Sequence, residues 1–264
     1  MSDDAPVLVE REGGVATVRI NRPDDMCALD IPTKEGLVAA LQQVAGDDSV
    51  RVVVLTGTGR AFCVGQDLKE HLGLLETGDD ALGTTVVEHY NPIVELLSTM
   101  NKPVIAAVNG VAAGAGAAFA FACDLRILRE SAGFNLAFTG IALSCDSGSS
   151  WSLQRLVGIA KAKELLFFPR TVRSAEALEL GLATKVVPDD EFDAAVAELA
   201  GRLAAGPTIA YGSVRRAIAY SATHDLSESL ANEGELMKLT GDTADHRAAV
   251  DAFIAKRPPV FEGR

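Results

Sequence analysis

The chain has 264 residues, of which 48% are hydrophobic and 23% charged, a composition typical of one full-sized globular domain with a modest appendage. A net charge of −12 argues against nucleic acid as a partner. The cysteines have neither C-x-x-C nor metal-ligand spacing, so we expect reduced thiols and no metal site at Cys27, Cys63, Cys123 and Cys145.

The first part of the chain alternates β-prone and helical patterns. The acidic start, MSDDAPVLVE, lacks the basic and apolar segments of a signal peptide, so we expect a cytoplasmic protein. Two β-prone runs, 7–10 and 15–20, flank Glu12-Gly13-Gly14 and predict a hairpin. Asp30 is placed to cap a helix that carries Leu37, Leu41 and Val44 on one face.

The run VRVVVLT at 50–56 predicts a strand buried on both faces. Gly57-Thr58-Gly59 follows it but lacks the third glycine of a dinucleotide fingerprint, and no Walker-type lysine follows. A tight turn and a polar segment are expected over 61–70, and a loop or short helix over 71–85. An amphipathic helix is expected from the spacing of Val86, Tyr90, Ile93, Leu97 and Met100.

The stretch from Pro103 to Asp124, PVIAAVNGVAAGAGAAFAFACD, reads as a buried strand, a turn at Asn109-Gly110 and a helix that begins near Gly114-Ala115-Gly116. The first turn of a helix carries unpaired N–H groups, and small residues there let a ligand oxygen approach them. A small-residue helix packed against a sheet is the alternative. Because the turn splits this mostly Ala and Gly run, we expect no membrane span.

The second half of the chain becomes increasingly helical. A strand is expected over 124–128, a loop over 138–150 and a helix from Trp151 to Val157. A short helix, 174–180, ends at Gly181, and a short strand follows at 184–188. Only helices follow: one from Glu191, one from Pro207 and a last one over 242–254. The pattern predicts an α/β core with a helical C-terminal appendage.

Several segments, in the same order along nearly the whole chain, resemble the crotonase (enoyl-CoA hydratase/isomerase) superfamily. AFCVGQDLKE and KPVIAAVNGVAAGAGAAFAFACDLRI resemble its two signatures, and NRPDDMCALD resembles its early CoA-side segment. EALELGLATKVVPDDEF and AFIAKRPPVF resemble its C-terminal part. HYNP and SCDSGSSW are most similar to the phenylacetate-pathway ring-epoxide/oxepin-CoA isomerase branch.

The resemblance implies an α/β fold, a spiral of ββα units over residues 1–203, with a helical trimerisation region over 204–264. It implies a homotrimer or a hexamer built as a dimer of trimers. It also implies an oxyanion hole for an acyl-CoA thioester, formed by the backbone N–H groups of Gln66 and Ala115. Coenzyme A would be part of the substrate, and no separate cofactor is expected.

By the same resemblance, further residues are expected to bind the acyl-CoA. Arg22 and Lys69 are candidates for the CoA phosphates, and Phe261 for covering the adenine from a neighbouring subunit. The remaining expected contacts are Cys27, Ala28, Asp67, Leu68, Gly114 and Phe138.

The two glutamates that hydratases of this family use have no counterpart here. Their positions fall on Ala118 and Phe138, neither of which can move a proton. Glu130 is the nearest downstream acid, and we expect it on a solvated surface. Hydration by the usual mechanism is therefore not expected.

Asp146, in SCDSGSSW, is the acid whose position in the sequence suits a catalytic role. Two interpretations are open: a catalytic base, as in related isomerase branches, or a cap of the helix that contains Trp151. One carboxylate suffices to move a double bond, because it can take a proton from one carbon and return it two carbons along. An isomerase is favoured; a hydratase and a non-catalytic acyl-CoA binding protein are the alternatives. Tyr90 is expected in the core.

Overall fold

The computed structural model describes residues 5–77 and 81–264. These residues form two β-sheets, surrounded by helices and followed by a purely helical C-terminal region. The strands are β1 (Val7–Glu12), β2 (Val15–Ile20), β3 (Val52–Gly57), β4 (Ala61–Cys63), β5 (Val104–Val108), β6 (Val111–Ala113), β7 (Leu125–Arg129), β8 (Gly133–Asn135), β9 (Thr171–Arg173) and β10 (Lys185–Val187).

The helices lie between and after these strands. They are α1 (Ile31–Ala45), α2 (Leu68–Thr77), α3 (Ala81–Thr85), α4 (Asn91–Thr99), α5 (Ala115–Ala122), α6 (Ser149–Phe167), α7 (Ser174–Glu179), α8 (Phe192–Ala204), α9 (Thr208–Ser221), α10 (Leu226–Gly241) and α11 (Ala244–Ile254). A π-helical turn, Val86–Tyr90, joins α3 to α4, and short 3₁₀ turns occur at Pro23–Asp25 and Thr139–Ile141.

The larger sheet has the strand order β1-β2-β3-β5-β7-β10. Its first two strands form the predicted antiparallel hairpin, and the remaining neighbours pair in parallel. The smaller sheet has the order β4-β6-β8-β9, in which only the last pair is antiparallel. Thus β3-β4-α2, β5-β6-α5 and β7-β8-α6 are three successive ββα units, as the expected spiral requires.

The strands of the larger sheet are buried on both faces. On β3, Val53 and Leu55 belong to the main core, whereas Val52 and Val54 belong to a smaller core beneath α8. This alternation follows from the two-residue side-chain period of a strand. It confirms that the run at 50–56 is a doubly covered strand, although β3 itself begins at Val52.

Helix α1 begins where the sequence predicts. Asp30 is its N-cap residue, and its carboxylate accepts a 3.0 Å hydrogen bond from the backbone N–H of Thr33. The helix lies against the first hairpin and places Leu37, Leu41 and Val44 in the main core.

The C-terminal helices are attached to the core by two arginines. Arg215, on α9, donates to Asp124 over 2.7 Å and to backbone carbonyl groups that include that of Lys102. Arg51 donates to Thr208 Oγ1 and to the carbonyl oxygen of Phe261, each over 3.0 Å. The predicted boundary between 203 and 204 falls in the last turn of α8 and stays a prediction.

Several elements differ from the sequence-based expectation. The strands β4, β6, β8 and β9 and the helix α10 were not predicted, and β4 lies where a tight turn is expected. The amphipathic pattern that begins at Val86 starts with a π-helical turn before α4. Within the segment 71–85, where a loop or short helix is expected, residues 71–77 belong to α2 and 81–85 to α3, and residues 78–80 lie outside the described part of the chain.

Candidate functional site

A largely apolar cavity of about 480 Å³ lies where the segment after β4 meets the start of α5. Its wall also includes residues of the 3₁₀ turn at 23–25, of α2 and α3, and of the loop before α6. Residues predicted to act on or bind the substrate that line it are Ala28, Gln66, Asp67, Leu68, Lys69, Gly114, Ala115, Phe138 and Asp146.

Two backbone segments approach each other closely in this wall. Gly65 has a φ angle of +84°, and a Cβ atom at Gly65 would lie 3.0 Å from the Ala113 oxygen and 3.4 Å from the Ala115 nitrogen. A glycine is therefore needed here both for its conformation and for space. As a result, the peptide that carries the Gln66 N–H lies next to the N-terminus of α5.

Within the described residues, the N–H groups of Gln66 and Ala115 do not donate to any backbone oxygen in the hydrogen bonds of turns, loops and helix caps. Ala115 is the first residue of α5, where a helical N–H has no partner inside the helix. The helix can start this close to β4 because Gly116 has no side chain: a Cβ there would lie 2.1 Å from the Cys63 oxygen.

Asp146 lies in the loop before α6, on the cavity wall. Burial raises the pKa of its carboxyl group, and the hydrogen bond from Ser147 partly opposes this rise by favouring the ionised form. The Ser147 hydroxyl donates to Asp146 Oδ1 over 2.7 Å, and Ser147 adopts a left-handed φ of +51°.

The interpretation of Asp146 as a helix cap is wrong. The N-cap position of α6 is Gly148, and no side chain makes a capping hydrogen bond there. The N–H of Ser149 instead donates to the backbone oxygen of Asp146, over 2.9 Å. The carboxylate of Asp146 is thus not needed to begin the helix.

A buried polar cluster lies behind the cavity wall. The Lys34 ammonium, with a completely buried side chain, donates to Glu70 Oε1 over 2.9 Å and lies 3.4 Å from both Gln66 Oε1 and Thr85 Oγ1. Gln66 Nε2 donates to Glu70 Oε1 over 3.1 Å, and the Tyr90 hydroxyl donates to Gln66 Oε1 over 2.5 Å.

The direction of these bonds follows from the chemistry of the ammonium group. Lys34 can only donate, so the amide oxygen of Gln66, not its nitrogen, faces it. Tyr90 contacts the same oxygen and therefore has to donate its proton to it. Tyr90 is buried, as expected, but it also lines the cavity. Burial, and then the nearby charge of Asp146, raises the pKa of Tyr90, which keeps it neutral.

Arg22 does not line the cavity. Its guanidinium donates to Asp67 Oδ2 over 3.0 Å, to Asp25 Oδ2 over 2.8 Å and to the Ala28 oxygen over 2.7 Å, and it also lies 3.4 Å from Asp30. Asp67 in turn accepts the N–H groups of Lys69 and Glu70 at the start of α2. Arg22 therefore helps to fix the wall, and its predicted contact with a CoA phosphate stays a prediction.

Cys27 and Phe261 also lie away from the cavity. The Cys27 thiol is completely buried and lies 3.3 Å from the Ile20 oxygen and 3.4 Å from the Thr58 oxygen, and burial raises its pKa. It therefore does not contact a ligand in this cavity. Phe261 lines a separate cavity beside α9, α10 and α11 of its own chain, and its predicted contact with a neighbouring subunit's ligand stays a prediction.

The two positions that correspond to hydratase glutamates have different surroundings. Ala118 is buried inside α5 and does not line the cavity, whereas Phe138 forms part of its apolar wall. Glu130 is exposed, as expected. Within 5–77 and 81–264, no group of three or more His, Cys, Asp or Glu side chains could hold a metal ion. No helix in these ranges is both long and apolar enough to span a bilayer.

Lys34 and Glu70 were missed by sequence reasoning. Lys34 lies in the first turns of a helix whose apolar spacing predicts only packing, and Glu70 belongs to a polar segment. A local signal was available: Gln66, just before α2, is four residues from Glu70 in the first turn of α2, a spacing at which helical side chains can meet.

Comparisons with known proteins agree with this architecture. The model of the enoyl-CoA hydratase/isomerase family matches residues 10–264. A 1,2-epoxyphenylacetyl-CoA isomerase of Escherichia coli is 39% identical over 98% of both chains. A short-chain-enoyl-CoA hydratase of Clostridium acetobutylicum is 34% identical over 95% of both.

A solved structure gives the same result. The enoyl-CoA hydratase of Bacillus anthracis superposes with a TM-score of 0.92 at 32% identity, over 98% of this chain and 100% of that one. With the family model covering nearly the whole sequence and the ββα spiral present, the chain belongs to the enoyl-CoA hydratase/isomerase (crotonase) family.

Proposed function

We propose that this protein is an acyl-CoA isomerase that moves a double bond with a single carboxylate, that of Asp146. The observation that carries the proposal is the presence, in one largely apolar cavity, of a partly buried carboxylate and two backbone N–H groups without backbone partners, while Ala118 and Phe138 occupy the positions of a hydratase's acids. The membership of the family supports an acyl-CoA substrate.

The reaction follows from this chemistry. The Asp146 carboxylate takes a proton from the carbon next to the thioester carbonyl of a 3-enoyl-CoA. The electron pair moves to the carbonyl oxygen, and the dienolate is held by the N–H groups of Gln66 and Ala115. Protonated Asp146 then returns the proton two carbons along, which yields the 2-enoyl isomer. A donor of this type typically lowers the barrier by about 3–4 kcal/mol.

The low polarity of the wall supports the choice of base. A buried carboxylate has a raised pKa and is a stronger base than one in water. The reaction uses no cofactor beyond the coenzyme A that the substrate carries. Lys69, exposed at the cavity edge and paired with Asp25, is the cation we assign to the CoA phosphates.

A test is turnover of a 3-enoyl-CoA in deuterated water, beside a 2-enoyl-CoA, by the wild type, Asp146→Asn and the control Glu130→Gln. We expect isomerisation with deuterium incorporation, lost in Asp146→Asn and kept in Glu130→Gln, because Glu130 is exposed and outside the cavity. Full turnover by Asp146→Asn would refute the role of Asp146.

Other outcomes identify the alternatives. Hydration of the 2-enoyl-CoA would support a hydratase, the activity for which the Clostridium relative is named. Tight binding of both thioesters without reaction would support one of two alternatives. The first is a non-catalytic binding protein, and the second is a ring-type substrate, either an oxepin or an epoxide of the kind in the Escherichia coli relative's name. A ring-epoxide thioester is therefore the third substrate to assay.

We also propose that the chain forms a homotrimer or a dimer of trimers. Exposed apolar side chains on the C-terminal helices support this assembly, among them Met237, Phe253 and Ile254, which are 73%, 85% and 74% exposed in the single chain. Light scattering would give three or six times the chain mass of 27.6 kDa; a mass of one chain would contradict it.

A further inference from the structure

We infer that Lys34 is a positioning residue for the thioester site: its buried ammonium fixes the side chain of Gln66, and through it the N–H that faces the substrate oxygen. The inference rests on the proposed function and names a part of the site that lies outside the cavity. Lys34 itself does not line the cavity, so it acts only through its neighbours.

Burying the Lys34 ammonium has a free-energy cost. A lysine is almost never fully buried unless it is paired, because its charge loses its hydration. All three donors of the Lys34 ammonium have an oxygen within reach, on Gln66, Glu70 and Thr85. Such a complete set restricts the ammonium to one arrangement.

These three oxygens belong to different elements. Glu70 is in the first turn of α2, Gln66 lies just before α2, and Thr85 is the last residue of α3. The other carboxylate oxygen of Glu70 accepts the N–H of Ile31, the first residue of α1, over 2.7 Å. Lys34 and Glu70 therefore connect three helices around one amide group.

Gln66 lines the cavity, and its backbone N–H has no backbone partner in the turns and loops of the described residues. Lys34 and Tyr90 hold its side-chain oxygen, and Glu70 holds its side-chain nitrogen. Without the ammonium, the amide oxygen of Gln66 would keep only Tyr90 as a donor, and the Glu70 carboxylate that holds the amide nitrogen would lose its counter-ion. The orientation of the residue, and of its N–H, would then be less well defined, and small displacements of a donor weaken its effect on a transition state.

The chain contains a matched control. Lys102 is also buried, but it donates to the carbonyl oxygens of Val44 and Asp47 at the other end of α1 and is not part of the cavity wall. Lys34→Met and Lys102→Met each remove one buried ammonium from one end of the same helix. A general loss of stability should appear in both, whereas a loss of donor positioning should appear only in Lys34→Met.

The experiment uses 4-(dimethylamino)cinnamoyl-CoA, whose absorption moves to longer wavelength when its thioester carbonyl is polarised by hydrogen bonds. We expect a red shift on the wild type and on Lys102→Met, and loss of most of that shift in Lys34→Met. With the 3-enoyl-CoA, kcat should fall by roughly tenfold or more in Lys34→Met, with KM little changed.

A folded Lys34→Met variant with the full red shift and wild-type kcat would overturn the inference. If Lys34→Met does not fold, Glu70→Gln replaces it, because it removes the charge that pairs with Lys34 and leaves no void. A reduced shift in Glu70→Gln supports the inference, and a full shift overturns it. Absence of any shift on the wild type would instead refute the oxyanion hole, and the inference with it.

Discussion

The hydroxyl group of Ser147 donates a 2.7 Å hydrogen bond to Oδ1 of Asp146, its neighbour in the chain. Ser147 itself is buried and adopts a left-handed backbone conformation, with φ at +51°. This geometry turns the serine side chain back toward the carboxylate. It gives the buried carboxylate one fixed partner and limits the rise of its pKa.

The pH dependence of turnover should follow from that contact. The proposed base acts when ionised, so kcat/KM should fall as the pH drops through a pKa above the ordinary value of about 3.9 for aspartate. Ser147→Ala removes a bond that favours the ionised form, so the midpoint of the pH–rate profile should move to higher pH. A midpoint that moves to lower pH would contradict this.

Asp146→Asn should stabilise the protein while it removes activity. The pKa of this carboxyl group is higher in the folded state than in the unfolded state, and this difference lowers the free energy of unfolding. The loss is complete above the folded pKa and vanishes below the unfolded pKa. At pH 7 we therefore expect a gain on the order of 1 kcal/mol, or roughly 2–4 °C in Tm. Thermal unfolding at pH 7 measures it; a lower Tm than that of the wild type would count against a carboxylate whose pKa is raised by burial.

Gly65→Ala should remove catalysis and also cost at least about 1 kcal/mol of stability, because the φ angle is +84° and the added Cβ would lie 3.0 Å from the Ala113 oxygen. Its Cβ would lie 3.4 Å from the Ala115 nitrogen, where we place the substrate oxygen. We expect a loss of at least about 100-fold in kcat. The control is Gly13→Ala, at a glycine with φ of +55° where an added Cβ would meet no atom within 4 Å, which should lose only about 1 kcal/mol of stability and no activity. Equal kcat losses in the two variants would disprove the assignment.

The Arg22–Asp67 pair should make stability sensitive to acid. Burial raises the pKa of Asp67, but the bonds from Arg22 and from the N–H groups of Glu70 and Lys69 outweigh it and lower the pKa overall. A carboxyl group whose pKa is lowered by folding stabilises the folded state above its unfolded pKa of about 3.9. This stability is lost as the pH falls through the folded pKa.

Asp67→Asn keeps a capping oxygen but removes the charge, so we expect a loss of about 1–2 kcal/mol at pH 7 that shrinks below pH ~4. Urea unfolding at both pH values measures it. Asp24→Asn, an exposed carboxylate on the neighbouring turn, should change stability by less than about 0.5 kcal/mol. A pH-independent loss in Asp67→Asn would show that the charge is not the cause.

Much of the fold follows from the sequence because its signals are local. The β-branched run at 50–56, the cap at Asp30 and the start of α5 at Ala115 each lie where their residues predict. The smaller sheet does not follow from such signals. Its strands β4, β6, β8 and β9 have three residues each, too few to show a period, and they pair over long separations in the chain, as Ala61 does with Val111.

The same distinction between local signals and long-range contacts applies to the candidate site. Gln66, Ala115 and Asp146 could be named because each lies in a short recognisable segment, and the cavity wall includes all three. The role of Asp146 could not be read from residues 144–151, since Asp before Ser-Gly-Ser-Ser suits a cap as well as a base; the position of Gly148 decides against the cap. Lys34 contacts Glu70 across 36 residues, a pairing that only the folded chain creates.

The hydroxyl of Tyr90 gives its only proton to Gln66, so toward any further group it can act only as an acceptor. An acyl group that reaches this oxygen should therefore be held better as an alcohol than as a ketone. A hydroxyl or amine at that depth would find an acceptor, whereas a keto oxygen would meet a second electron-rich atom and lose its hydration without replacement. Among acyl-CoA thioesters of equal size, we expect the protein to retain a hydroxyacyl form and to reject its oxidised counterpart.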